Sequence, residues 1–228
     1  MNILVIVAHP DDPEFFAGGT IARWRREGHD VRYVIVTGGD KGSDRPDMTP
    51  ARLIAIRHDE QRRAAALLGV RDITFLSYVD GELLNTPELR RDLVREIRRV
   101  RPDIILTTDP QTLHYGAIRV NHSDHRAIGL AVCDAVFPAS GNRMYFPELL
   151  ADGFEPHSPR EIYFAGPVQP NLIVDVTDFV EVKLAAIRTH VSQIKSPDEL
   201  DLRVRQAMWR ITGDGRVFFA EAFRRILL

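Results

Sequence analysis

The 228 residues carry 30 basic and 32 acidic side chains for a formal charge of −2, and no basic segment is interleaved with aromatics, so the composition argues against a nucleic-acid partner. No apolar stretch approaches the roughly 20 residues of a membrane helix, so membrane insertion is not expected, and Cys133 stands alone, which leaves no intrachain disulfide and a small buried apolar residue as its reading. The start Met1-Asn2-Ile3 lacks the charged-then-apolar layout of a secretory signal, and the expectation is a cytoplasmic protein of one domain over 1–228.

The first element is a strand over 2–8, whose unbroken apolar run Ile3-Leu4-Val5-Ile6-Val7 suits a parallel strand buried on both faces. A helix over 15–27 stops at Gly28, and Val31–Thr37 forms the second strand. Thr49-Pro50 and Thr86-Pro87 are helix starts with Pro at the first helical position. They predict a helix over 50–68, ended by Gly69, and a further helix following the strand Ile73–Tyr78. In that helix Leu89, Leu93, Ile97 and Val100 share a stripe while Glu88/Arg91, Asp92/Arg95 and Glu96/Arg99 pair outside it, which makes the arginines a solvated face. Asp103–Asp109 reads as a strand, 110–121 as a loop and Ile128–Val136 as a helix. Residues 137–160, rich in Pro, Gly and Asn, read as an irregular insertion expected to cover the site. Strands at 162–165 and 171–176, a helix over 178–190 and a last helix over 197–211 complete the chain, the last with a capping box at Ser196 and Glu199. Alternating strands and helices with short connections predict an α/β, Rossmann-like three-layer sandwich with a mostly parallel sheet.

Two clusters carry the chemistry. Ala8-His9-Pro10-Asp11-Asp12-Pro13-Glu14 follows the first strand, where an open α/β sheet binds ligands, and Asn121-His122-Ser123-Asp124-His125 supplies more ligands of the same kind. Two His and one carboxylate with an open position form a common catalytic zinc set, in which bound water becomes a nucleophile near neutral pH. Of Asp11 and Asp12, either could bind the metal and leave the other to take a proton. His122 and His125, three apart at a helix start, lie on one side, so one could bind while the other reaches an oxyanion. Taken singly, an Asp-Asp pair after a strand is often a turn or helix cap, and the sequence holds no HExxH-grade motif.

The segment Ala8 to Thr20 resembles the signature of the PIG-L/LmbE-like N-acetylglucosaminyl deacetylases, and Thr37 to Gly42, Arg57 to Val70, Asp80 to Leu83, the His122-x-Asp124-His125 core and Lys183 to Gln193 resemble successive blocks of that family. The resemblance implies a Zn2+ enzyme that removes acetyl from an N-acetylglucosamine-type amino sugar or conjugate, and it makes a homo-oligomer an expectation. By the same resemblance His9, Asp12 and His125 bind zinc, Asp11 is the general base, and His122 stabilises the oxyanion or donates the proton, oriented by Asp124. Arg45, Asp80 and Arg119 fall in loops where the family contacts sugar hydroxyls. The chain departs from the family at Ser123, where Pro is common, and at Asn121, where Gly is common; Ser123 is expected instead to cap the helix. His29, His58 and His157 read as structural or exposed and His114 as a solvated loop residue, while His190 takes no assigned role. Two rival functions share the residues: a non-haem Fe(II) enzyme with the same donor set, and a non-catalytic sugar- or nucleotide-binding module.

Overall fold

The computed structural model describes residues 1–117 and 119–228; position 118, inside the loop expected over 110–121, lies outside the described residues. The order is β1 (Asn2–Val7), α1 (Asp12–Arg26), β2 (Asp30–Thr37), α2 (Pro50–Leu67), β3 (Ile73–Tyr78), α3 (Pro87–Val100), β4 (Ile104–Thr108), a small hairpin β5 (His114–Tyr115) and β6 (Arg119–Val120), and α4 (Ser123–Asp134). A π-helical turn (Ala135–Ser140), α5 (Glu148–Ala151), β7 (Glu161–Ala165), β8 (Leu172–Asp175), a 3₁₀ turn (Thr177–Phe179), α6 (Val180–Arg188), α7 (Pro197–Met208), β9 (Trp209–Ile211) and β10 (Val217–Leu227) follow.

The main sheet runs β3-β2-β1-β4-β7-β10-β8, parallel from β3 through β7 and antiparallel where β10 meets β7 and β8. The chain builds outward from β1 through β2 to β3, then crosses to β4 on the other side of β1. That reversal opens a crevice at the carboxyl ends of β1 and β4, the usual ligand position in such sheets. Strand period divides β1 between two cores. Ile3, Val5 and Val7 meet Ala17 and Ile21 of α1 and Leu184 of α6, whereas Leu4 and Ile6 meet Leu89, Leu93 and Ile97 of α3 and Ile128 and Val132 of α4. These five apolar side chains of β1 are fully buried, each worth about 1.5–3 kcal/mol. Thr49 and Thr86 cap α2 and α3 by accepting from Arg52 N and Leu89 N. Among the described residues no helix is long and apolar enough to cross a membrane.

Helix α1 is broken at Ala17, whose φ of −145° is not helical. A break exposes amides on one side and carbonyls on the other, and a buried ion pair meets both needs. Glu221 of β10 accepts from Gly19 N (2.9 Å) and Thr20 N (2.7 Å), while Lys183 of α6 donates to Phe15 O (2.8 Å) and lies 2.6 Å from Glu221. The first turn, which carries Asp12, is thereby set independently of the rest of the helix.

Four expectations are corrected. The last helix ends at Met208, and 209–211 is a strand paired with β10, an 11-residue strand not anticipated. Its apolar alternation is interrupted by Glu221, Arg224 and Arg225, and each finds a partner elsewhere: Glu221 in Lys183, Arg225 in Glu161, and Arg224 in the Gln169 carbonyl. Helix α4 starts at Ser123, and the residue capping it is His122, whose Nδ1 accepts from Asp124 N. Ser196 precedes α7, but its side chain makes no capping bond. Residues 137–160 do not cover the crevice. Arg98 of α3 holds the carbonyls of Ala139, Ser140, Asn142 and Tyr145, and His157 and Pro156 bond to Pro102 and Arg101, just before β4. That is the opposite end of the sheet.

Candidate metal centre

The turn after β1 folds back on itself: His9 N donates to Asp12 Oδ2 at 2.8 Å, and Asp12 N donates to His9 O. This brings His9 and Asp12, three apart in sequence, to one point. The first turn of α4 adds His125 from across the crevice, and donor atoms of His9, Asp12 and His125 converge within 4.8 Å. Asp12 Oδ1 lies 3.0 Å from His125 Nε2, Asp12 Oδ2 lies 3.4 Å from His9 Nδ1, and the two ring nitrogens are 3.3 Å apart.

The outward nitrogens of both rings identify what belongs between the inward ones. His9 Nε2 faces Asp80 Oδ1 at 3.1 Å and Asp124 Oδ2 at 3.2 Å. His125 Nδ1 faces Asn121 Oδ1 at 3.1 Å, and the orientation of that amide is set by its Nδ2 donating to Thr112 O at 2.8 Å. Each outward nitrogen therefore carries the proton. The inward nitrogens are left as lone pairs pointing at each other and at a carboxylate, an arrangement that calls for a cation. The same demand appears in the titration of His9. Burial opposes its charged form, but Asp12, Asp124 and Asp80 outweigh burial and push its pKa up to about 12. Burial also works against ionised Asp12, yet His125 and His9 hold its carboxyl well below the ordinary range. His9, Asp12 and His125 thus fit a divalent ion of the kind that takes mixed imidazole and carboxylate ligands.

Asp11 sits beside this set in a left-handed backbone conformation, φ 104°, rare for a residue with a side chain. Its N–H donates to Gln61 Oε1 of α2 at 2.8 Å; Gln61 Nε2 lies 3.0 and 3.1 Å from the two oxygens of Glu14, and Glu14 lies 3.2 Å from His190 Nε2. Burial raises the Asp11 carboxyl to about 6, against the pull of Arg57, whose guanidinium is 3.2 Å away. Arg57 is itself held by Gly39 O at 3.1 Å and Pro10 O at 2.5 Å. Gly39 has φ +65°, and a Cβ there would collide with this guanidinium, so the glycine serves both the turn and the close approach.

His122 stands with its ring centroid 4.6 Å from that of His9, edge to face. Because its Nδ1 accepts from Asp124 N at 3.2 Å, the proton of the neutral ring is on Nε2. Burial, then the neighbouring His9, lowers its pKa and keeps it neutral. The Asp124 carboxylate does not serve His122 as expected: it accepts from Gly81 N and Leu83 N at 2.7 and 3.3 Å and faces His9.

The cavity over these groups, about 440 Å³, is lined by His9, Asp11, Asp12, Arg57, Asp80, His122 and His125, with Lys41, Gly42, Gly81 and Gln193 at its edges. Of the three residues expected to touch sugar, Asp80 lines it, although its oxygens face His9 Nε2 and Lys41 N. Arg45 and Arg119 do not. Arg45 is exposed and bound bidentately to Asp47, and Arg119 lies over the Tyr115 ring on the hairpin. Arg57, Gln61, Asn121 and Gln193 were not singled out from the sequence as site residues.

Comparison with known proteins identifies the family. The family model PIG-L, described as GlcNAc-PI de-N-acetylase, matches residues 4–136. The diacetylchitobiose deacetylase of Thermococcus kodakarensis is 38% identical over 84% of this chain and 70% of its own length. A probable N-acetyl-α-D-glucosaminyl L-malate deacetylase of Bacillus anthracis is 32% identical over 84% of this chain and 81% of its own. Among solved structures, N,N'-diacetylchitobiose deacetylase from Pyrococcus horikoshii superposes with a TM-score of 0.89 at 33% identity, covering 99% of this chain and 84% of that one.

Proposed function

Since the chain belongs to the PIG-L family, we propose that it is a zinc-dependent hydrolase that removes the N-acetyl group from an N-acetylglucosamine-type amino sugar or conjugate. The observation that carries this reading is the convergence of two imidazole lone pairs and the Asp12 carboxylate beside a second, base-like carboxylate, Asp11. His9, Asp12 and His125 would hold a divalent ion, which would supply Lewis-acid polarisation and lower the pKa of water enough for attack on an amide near neutral pH.

The remaining steps fall to the chain's own groups. Asp11 takes the proton shed by the attacking water and holds it beside the reacting amide until the C–N bond breaks. It then returns the proton to the departing nitrogen, leaving acetate and a free amine. His122 offers Nε2–H to the oxyanion formed from the acetyl carbonyl, and its neutrality makes it a hydrogen-bond donor rather than a competing cation. Asp80 and Asp124 fix the His9 ring, Asn121 fixes the His125 ring, and Arg57 holds the Asp11 carboxylate in place.

The test is acetate release from N-acetylglucosamine and its conjugates, run without oxygen and with zinc as the sole metal. Acetate formed under those conditions supports the hydrolase and removes the Fe(II) oxygenase reading. A zinc-loaded protein that releases none from any amino sugar refutes the proposal.

A further inference from the structure

Behind Asp11 runs a row of buried polar groups that makes no contact with the metal ligands. Asp11 N–H donates to Gln61 Oε1, Gln61 Nε2 faces both oxygens of Glu14, and Glu14 Oε2 lies 3.2 Å from His190 Nε2. Gln61 of α2, Glu14 of α1 and His190, just past the end of α6, are all fully buried. The row has a direction. Asp11 N–H needs an acceptor, so Gln61 must present its oxygen there and its NH2 on the other side. A carboxamide turned end for end keeps its shape, and a reversed Gln61 would set its NH2 against the Asp11 N–H. Glu14 prevents this by offering two acceptor oxygens to the NH2 end. Among the described residues, the side-chain donors that reach the Glu14 carboxylate are Gln61 and His190.

His190 is itself held against α2. Ser192 donates to the buried Glu60 carboxylate through N at 2.8 Å and Oγ at 2.6 Å, and Thr189 Oγ1 lies 3.4 Å from Glu60 O. Glu60 precedes Gln61 in the chain, so the segment that carries the imidazole and the residue that carries the amide are fixed to one another. The second ring nitrogen of His190, Nδ1, has no hydrogen-bond partner among the described residues. Burying a polar ring costs free energy that an apolar ring of the same size avoids. What the imidazole offers here that a phenyl ring lacks is the single bond from Nε2 to Glu14.

We infer that His190 is a positioning residue for the reaction: through Glu14 and Gln61 it keeps the Asp11 backbone in its left-handed conformation and so fixes the carboxylate beside the metal centre. The inference rests on the deacetylase reading above, with Asp11 as base. Substitutions that separate the two ring nitrogens test it, because a Gln amide reaches to where Nε2 lies and an Asn amide only to where Nδ1 lies. Zinc content, Tm, and kcat and KM for acetate release from N-acetylglucosamine and diacetylchitobiose are measured on the zinc-loaded full chain. His190→Asn is expected to lower kcat by about tenfold or more, part of the roughly hundredfold cost of a displacement of about 1 Å, with KM and zinc content little changed. His190→Gln should bring kcat back to within about threefold of the parent, well inside that cost. In a Gln61→Ala background, His190→Asn should cost less than about twofold more, since residues acting along one path are not additive. If His190→Asn does not fold, His190→Phe, which keeps a ring without the donor, takes its place. A folded His190→Asn with the kcat of the parent, a loss in His190→Gln as large as in His190→Asn, or a loss undiminished in the Gln61→Ala background overturns the positioning role and leaves the deacetylase in place. Acetate from none of the proteins, the parent included, overturns the deacetylase reading and this inference with it.

Discussion

Replacing Gln61 by Ala tests whether the geometry of the base is imposed from α2. The Asp11 backbone, at φ 104°, is held in a conformation costing about 1–3 kcal/mol, and its N–H is tied to Gln61 Oε1. The other end of Gln61 serves both oxygens of a fully buried Glu14. Gln61→Ala leaves two buried polar groups short of a partner, each worth about 1–3 kcal/mol, so stability should fall by about 2–5 kcal/mol. At about 2–4 °C per kcal/mol for a chain of this size, thermal unfolding moves down by roughly 5–15 °C. Freed of its tether, the strained residue relaxes, and a displacement of about 1 Å at a reacting group costs on the order of a hundredfold in rate. Calorimetry, steady-state acetate release and metal analysis then give a joint signature: lower Tm, kcat reduced about a hundredfold with KM little changed, and metal retained, because Asp12 is held by His9 and His125 rather than by Gln61. A folded Gln61→Ala protein with kcat within a factor of about three of the parent would show that Asp11 keeps its position without Gln61, since it falls far short of that loss.

Other consequences can be checked alongside. Asn121→Ala removes the acceptor of His125 Nδ1–H and should weaken zinc binding about 10- to 100-fold, measured by competition with a chromogenic chelator; unchanged affinity would mean that His125 needs no such partner. The pH profile of kcat/KM should lose activity on the acid side, because a base must be ionised. Burial puts the Asp11 carboxyl at about 6 and a bound cation draws it lower, so the limb falls at or below pH 6 and disappears from the residual rate of Asp11→Asn. Lys183→Met leaves Glu221 without its buried counter-charge and should cost about 3–5 kcal/mol in urea denaturation; a midpoint equal to the parent's would show that the amides of Gly19 and Thr20 suffice.

What the sequence revealed, and what it hid, follows from how far apart the interacting groups lie along the chain. His9 and Asp12 are joined by a local turn after a strand, and His122, Asp124 and His125 share one helix start, so both clusters were visible as clusters. The parallel strands and both Thr-Pro helix starts were likewise local signals. Roles that depend on tertiary pairing were not visible. Asp124 sits beside His122 in sequence but turns to His9, 115 positions away. Asn121 looked like a departure from pattern and is the acceptor that sets the tautomer of His125. Gln61 and Arg57 were ordinary polar residues of an amphipathic helix until α2 was placed against the first loop. Strand β10 was hidden because its buried Glu221 breaks the apolar pattern, and the ion pair that permits it joins α6 to β10. The insertion at 137–160 had the composition of a lid, yet Arg98 gathers it at the far end of the sheet.

On the proposed function, deacetylation requires one divalent ion, bound by His9, Asp12 and His125, with Asp11 as base. Titration of zinc into chelator-stripped protein tests it most directly, following acetate release for the parent, His125→Ala and Asp11→Asn. Activity of the parent should rise linearly to a plateau at about one ion per chain, with weak or no binding by His125→Ala and full binding but little acetate from Asp11→Asn. Undiminished acetate release by the stripped parent, or by Asp11→Asn, would contradict it.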